Sequence, residues 1–324
     1  MNVKGIVLFS GGLDSILAVE VIRRQNIDVI GVAFETPFFS AEKAQKAAAA
    51  MALPLRVIDS TDAHLRMLKA PHYGYGRNMN PCIDCHALMI RMAGNEMAHE
   101  GADFVCTGEV LGQRPMSQTR QSLHIVAKLS GYEGVIIRPL SARLLDATIP
   151  EKEGKVDRLR LLDMHGRGRK RQMELAAAYG IAEYSSPAGG CLLTDPTFSR
   201  RLKDLFDHGE EDIRDIELLK MGRHFRLDTA TKIVVGRNHG ENESILRLAG
   251  GQDAVIQIEG VPGPVVLVPG GCSEEIMQVA AAVCARYSDA PRGDTVSAII
   301  EQGSETMIIE TKAADPEALA GLII

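Results

Sequence analysis

The chain has 324 residues, with 36 Lys+Arg against 42 Asp+Glu for a net charge of -6, and 45% of it is hydrophobic. That length gives room for two domains and a sizeable core. No signal peptide is visible, and no apolar stretch approaches the roughly 18–20 residues that a membrane-spanning helix needs. The six cysteines are spread out apart from one pair, which excludes a disulfide-stapled secreted scaffold and implies a reducing, cytoplasmic setting. Residues 1–200 carry 24 Lys+Arg against 21 Asp+Glu and the remainder 12 against 21. The overall acidity therefore does not exclude a nucleic-acid partner, which responds to local basic patches.

In chain order, the apolar run Val3 to Phe9 predicts a strand, and Ser10-Gly11-Gly12-Leu13-Asp14-Ser15 a tight loop opening a helix with Ile16, Leu17, Val19, Val21 and Ile22 on its apolar side. Glycines let backbone approach an anion, hydroxyls donate to it, and the free N–H groups of a helix start point at it. The Walker lysine is missing, which disfavours a kinase-like or GTPase-like site. Further strands are expected at Asp28 to Phe34, Leu55 to Asp59, Phe104 to Thr107 and Val135 to Pro139, separated by segments of helical length. That alternation predicts an α/β fold, a doubly wound parallel sheet with ligands beyond the carboxyl ends of its strands. Ala33 and Phe34 at the second strand end, and Thr107-Gly108-Glu109 after a later strand, should gather there. Beyond residue 200 the character changes: an acidic helical segment precedes Gly222-Arg223-His224-Phe225-Arg226, then a strand from Lys232 to Arg237 and a helix from Glu274 to Tyr287. Two domains are expected, residues 1–200 and a smaller α+β domain over 201–324.

Cys82 and Cys85 open a helical pattern as C-x-x-C, which brings two thiols to one side of a helix N-terminus, where thiolate is favoured. Cys191 follows Gly189-Gly190, where glycines leave space for a ligand. Three thiols can hold three irons of a cubane cluster, [4Fe-4S] or [3Fe-4S], with a corner open to sulfide. The alternatives are a persulfide and disulfide pair, a structural zinc site one ligand short, or plain packing. Cys106, Cys272 and Cys284 lie in apolar surroundings and read as buried small hydrophobes.

The Ser10 to Ser15 segment resembles the signature of the PP-loop ATP pyrophosphatases at every position. The adenine nucleotide alpha hydrolase-like fold, ATP with Mg2+, cleavage between the α and β phosphates and adenylation of a carbonyl-type oxygen are what that resemblance implies. Together with C-x-x-C and a later glycine-flanked cysteine it resembles the tRNA thiolation group. Thr107-Gly108-Glu109-Val110-Leu111-Gly112-Gln113 with Ser117-Gln118-Thr119, one residue longer than the bacterial pattern, and Arg138-Pro139-Leu140 are similar to the ThiI-type 4-thiouridine synthetases, in their cluster-bearing branch. The resemblance covers residues 1–200 and implies Asp14 and Cys191 as catalytic, with Ser10, Gly11, Gly12, Asp14, Ser15, Ala33, Phe34, Gly108 and Gln118 on ATP. It implies Cys82, Cys85 and Cys191 on the metal, tRNA as substrate, and sulfide or a persulfide carrier as sulfur donor. A homodimer is a further partner arrangement to consider. Only Met1 and Asn2 precede the first strand, so the tRNA-holding ferredoxin-like and THUMP segments of that family are not expected.

Asn80-Pro81-Cys82 also resembles the 2-thiouridylases, which keeps a tRNA 2-thiouridylase or 2-thiocytidine synthetase as the rival. A PP-loop synthetase adenylating a small molecule, or a noncatalytic RNA-binding module, are the readings of another class. The segments around Arg223 and Arg237 resemble the RNA-binding domain of NFACT proteins and imply Arg223, His224, Arg226, Lys232 and Arg237 as phosphate-facing. The run Arg167-Gly168-Arg169-Lys170-Arg171 reads either as a solvated helix face or as a tRNA backbone contact, with Arg167, Arg169, Lys170 and Arg171 as the residues. Aromatic residues are few and tryptophan is absent, so broad stacking on single-stranded bases is not expected.

Overall fold

A computed structural model describes residues 3–184 and 190–324. The expectations placed on Met1, Asn2 and residues 185–189, Gly189 included, lie outside the described residues. The chain divides into two compact units, residues 1–194 and 195–324.

The first unit runs β1 (Lys4–Leu8), α1 (Leu13–Arg23), β2 (Asp28–Glu35), α2 (Glu42–Ala50), β3 (Leu55–Asp59), α3 (Thr61–Lys69), α4 (Cys82–Glu100), β4 (Phe104–Thr107), α5 (Arg120–Ser130), β5 (Ile136–Ile137), α6 (Ile149–Lys152) and α7 (Lys170–Ala178). Its five strands form one parallel sheet in the order β3-β2-β1-β4-β5. A sheet buried on both faces needs continuous apolar strands, which is what β1 and β4 are. Successive side chains serve opposite cores: Val7 packs with α1 residues such as Leu17 and Ile22, whereas Ile6 packs with Ala87 and Ile90 of α4 and Val126 of α5. Because β1 pairs with β2 on one side and β4 on the other, the strand order reverses at β1 and β4, opening a crevice at their carboxyl ends. The α/β, doubly wound reading holds for this unit. Cys106 sits in one of the cores.

The second unit starts with α8 (Pro196–Asp207) and α9 (Ile213–Leu218). The split falls before residue 200 because Asp195 caps α8, accepting the Phe198 N–H at 2.7 Å, and Pro196 occupies the first turn, where a missing N–H costs nothing. There follow β6 (Arg223–Arg226), β7 (Lys232–Val235), α10 (His239–Leu248), β8 (Ala254–Ile258), β9 (Val266–Val268), α11 (Glu274–Arg286), β10 (Thr295–Gln302), β11 (Glu305–Lys312) and α12 (Pro316–Ala320). The strands form a six-stranded antiparallel sheet, β11-β10-β8-β9-β7-β6. Its core gathers Phe225, Ile256, Val266, Cys284 and Ile300, with Cys272 packed at the margin. No helix among the described residues is long and apolar enough to cross a membrane.

Candidate active site

Between β1 and α1 the chain turns through Gly11, at φ +71°, where any side chain would be strained and its first carbon would lie 2.3 Å from the Lys43 carbonyl. Gly12 caps α1 with no side chain accepting from the first turn, so the N–H groups of that turn stay open to an anion. Ser15 Oγ donates to the Gly12 carbonyl at 2.8 Å, and the Ser10 and Ser15 hydroxyls stand 3.4 Å apart. Asp14 is fixed by Gln113, whose Nε2 donates to Oδ2 at 3.1 Å, while its Oδ1 is buried without a partner. Burial raises the Asp14 carboxyl above the usual range, opposed by the Gln113 bond and by the charges of Arg169 and Arg114. Gly108 passes so close to α1 that an added Cβ would meet the Asp14 carbonyl carbon at 2.6 Å.

The β4 loop is locked by Glu109. Its carboxylate accepts from Arg138 Nε at 2.8 Å and Thr107 Oγ1 at 3.0 Å, and lies 3.0 Å from His86 Nδ1 on α4. Burial opposes ionisation, but Arg138 and then His86 outweigh it and hold the Glu109 pKa at about 2. The loop closes on itself, with the Arg114 N–H donating to Gln118 Oε1 at 3.1 Å and the Gly112 N–H to the Gln118 carbonyl at 2.7 Å.

A cavity of about 420 Å³ brings these parts together. Ser10, Asp14, Ser15, Ala33, Phe34, Gly108 and Gln118 line it, and so do Cys82, Cys85 and Cys191. Gly11 and Gly12 shape the turn from behind. Cys82 Sγ donates to Asn80 Oδ1 at 2.8 Å, and Cys85 Sγ lies 3.5 Å from His64 Nε2. Burial, which the Leu193 N–H only partly offsets, pushes the Cys191 thiol up to about 11, with Cys82 adding to the shift. Burial raises Cys85 as well, reinforced by Cys191, Cys82 and Asp84, and it raises Cys82 against the Asn80 bond. The three thiols thus line one cavity, each holding its proton more tightly than in water. Among the described residues no three of His, Cys, Asp and Glu are gathered around a point that a single metal ion could fill.

His64, His86 and Arg114 were not singled out in the sequence, and Glu109 only as part of the Thr107-Gly108-Glu109 loop. His64 is packed between the Phe38 and Phe39 rings, and burial lowers its pKa to about 4. Only its place one turn into a helix could have hinted at this. The basic run does not act as one surface. Arg169 is partly buried, its Nε buried without a hydrogen-bond partner and its charge acting on Asp14. Arg171 is bonded to Asp163 at 2.6 Å yet stays exposed, as do Arg167 and Lys170, the latter 3.9 Å from Glu174.

In the second unit the expectation of open phosphate-facing groups needs correcting at three positions. Arg226 is paired with Asp204 and Glu210, and Lys232, 3% exposed, also pairs with Glu210. His224 is buried against the Met221 carbonyl, and burial followed by the Arg201 charge drives its pKa to about 3. Arg223 lies over the Tyr287 ring at 4.6 Å, and Arg237 is half-exposed while paired with Glu241.

Comparison with known proteins fits this division. Residues 1–145 match the family model described as thiamine biosynthesis protein (ThiI), and residues 222–322 match that of the NFACT protein RNA binding domain. Among solved structures, a 4-thiouridine synthetase in complex with RNA and bound ATP is 21% identical, with a TM-score of 0.36, covering 67% of this chain and about half, 52%, of that one. A predicted subunit of tRNA methyltransferase from Methanocaldococcus jannaschii is 14% identical, with a TM-score of 0.39, covering 66% and 91%. The C-terminal part of the fibronectin/fibrinogen-binding protein from Streptococcus suis is 12% identical, with a TM-score of 0.30, covering 49% and 79%. The chain therefore carries a ThiI-family domain at its N-terminus and an NFACT-type RNA-binding domain at its C-terminus.

Proposed function

We propose that the protein is an ATP-dependent tRNA sulfurtransferase that converts a uridine to 4-thiouridine. The observation that carries the reading is the single cavity lined both by the Ser10–Ser15 phosphate loop and by Cys82, Cys85 and Cys191. The chemistry needs both ends. A uracil carbonyl oxygen is a hopeless leaving group until it attacks the α phosphorus of ATP and expels pyrophosphate; a sulfur nucleophile then adds at the carbon and AMP departs with the oxygen.

Ser10, Ser15 and the open N–H groups of the α1 start bind phosphate oxygens, and stabilising the charge on the transferring phosphorus is the main catalytic demand. Gly108 lets the β4 loop close on that turn, while Ala33 and Phe34 offer an apolar wall for adenine. The unpartnered Asp14 oxygen fits a cation, and Asp14 would hold Mg2+, which neutralises phosphate charge. Cys82, Cys85 and Cys191 line the cavity together, and they would hold an iron–sulfur cluster that would supply sulfide to the reaction. Arg167, Lys170, Arg171, Arg223 and Arg237 are the members of the two basic segments that keep exposed or partly exposed side chains for tRNA phosphates.

Nucleoside mass analysis of tRNA from a deletion strain complemented with wild type, Asp14→Ala or Cys191→Ser tests the reading. Loss of 4-thiouridine restored by the wild type alone is expected. Unchanged 4-thiouridine with another thionucleoside missing would transfer the activity to 2-thiolation and sink this assignment.

A further inference from the structure

Arg114 is the one guanidinium that lines the cavity, among the described residues, and it makes no hydrogen bond or ion pair with another side chain there. Its main chain is held at both ends: its N–H donates to Gln118 Oε1, and its carbonyl accepts the Gln118 N–H at 2.9 Å. The neighbouring Gln113 is bonded to Asp14. The strand-like contact of Leu111 with His165, and the Gly166 N–H donated to the Leu111 carbonyl at 2.7 Å, brace the other side of the loop. A long cationic side chain is thus carried on an anchored loop with no ion-pair partner among the described residues.

Its neighbours in the cavity point to the anion. Gln113, the residue before it, is bonded to Asp14 of the phosphate turn, and Arg114 lines the same cavity as Ser10, Ser15, Cys82 and Cys191. A cation carried beside the phosphate turn, in a cavity that also holds the thiols, suits the phosphate nearest the reacting carbon. We propose that Arg114 binds the α-phosphate of the nucleotide, and so stabilises AMP as it leaves. The inference rests on the adenylation reading above. A guanidinium suits the task because its planar fork matches two phosphate oxygens at once and keeps its proton at any working pH. The residue's role is binding at the border of two half-sites, which a helix start alone cannot cover, since its field falls off within the first turn.

Calorimetric titration of the full-length protein with AMP and with adenosine tests this. In the wild type AMP should bind more tightly than adenosine. Arg114→Gln should weaken AMP by about tenfold or more and leave adenosine within about twofold, and Arg114→Lys should recover part of the loss, since the charge remains without the fork. Equal AMP binding in Arg114→Gln, an equal loss for AMP and adenosine, or no preference for AMP in the wild type would each overturn the proposal. If AMP binding depends on Arg114 while tRNA from the deletion strain keeps all its thionucleosides, the Arg114 assignment stands and the thiolation reading falls.

Discussion

Glu109 shows how much a single residue carries here. It is buried with Arg138, both under 10% exposed, and ties the β4 loop to the helix that presents the thiols. Its pKa lies near 2 against an ordinary value of 4.5, so the stabilisation it supplies is complete above pH 4.5 and is lost as the pH falls toward 2. Glu109→Gln leaves the Arg138 charge buried without its counter-charge, a change that costs about 3–5 kcal/mol at neutral pH. Urea denaturation at stepped pH should show this deficit at pH 7 shrinking below pH 4.5; parallel pH profiles for the two proteins would refute the assignment. Residues whose chemistry depends on spacing along the chain were legible: the Ser10–Ser15 turn, the Cys82/Cys85 pair and Cys191 meet in one cavity. The partial burial of Arg169 was not legible, because a run of like charges looks solvated and nothing in its neighbours signals that one member has a buried Nε. His64 had little signal beyond its place in a helix, since its aromatic and thiol neighbours come from distant segments.

At the level of elements, the five strands of the parallel sheet could be read from sequence because each contains a short apolar run, and the inner ones, covered on both faces, have no polar alternation to blur them. The last was overestimated: only Ile136 and Ile137 pair with β4. The start of α4 depends on a feature that the pattern does not reveal. Asp84, 5% exposed, accepts the N–H groups of His72 and Tyr73 at 2.9 and 3.0 Å, folding the preceding loop over the first turn that bears both thiols. Asp84→Ala strips two donors of their acceptor and should cost roughly 1–3 kcal/mol. Hydrogen exchange should reveal it as faster exchange confined to residues 70–86, with the sheet unchanged. Uniformly faster exchange would mean that the carboxylate serves the whole unit instead.

For the molecule as a whole, the two units have separate cores and opposite charge balance, +3 through residue 200 and -9 beyond it. Much of the acidity in the second unit is spent on its own arginines and lysines, Asp204 and Glu210 on Arg226 and Lys232, Glu241 on Arg237. Composition records those charges but not their pairing, which is why that unit's basic residues looked more available than they are. Phe225 is fully buried in its core. Phe225→Ala should cost about 3–5 kcal/mol, and scanning calorimetry should place that loss in one transition while AMP affinity stays at the wild-type value. A matching fall in AMP affinity would show that the nucleotide site needs the second unit intact.

The burial of the Cys82, Cys85 and Cys191 thiols has a practical side. Alkylating reagents such as iodoacetamide count cysteines by attacking thiolate, and at neutral pH each of these groups keeps its proton, Cys191 until about pH 11. In a labelling experiment on the metal-free protein, the sulfurs assigned to the reaction would be among the slowest to react, and silence toward the reagent would be no sign that they are idle.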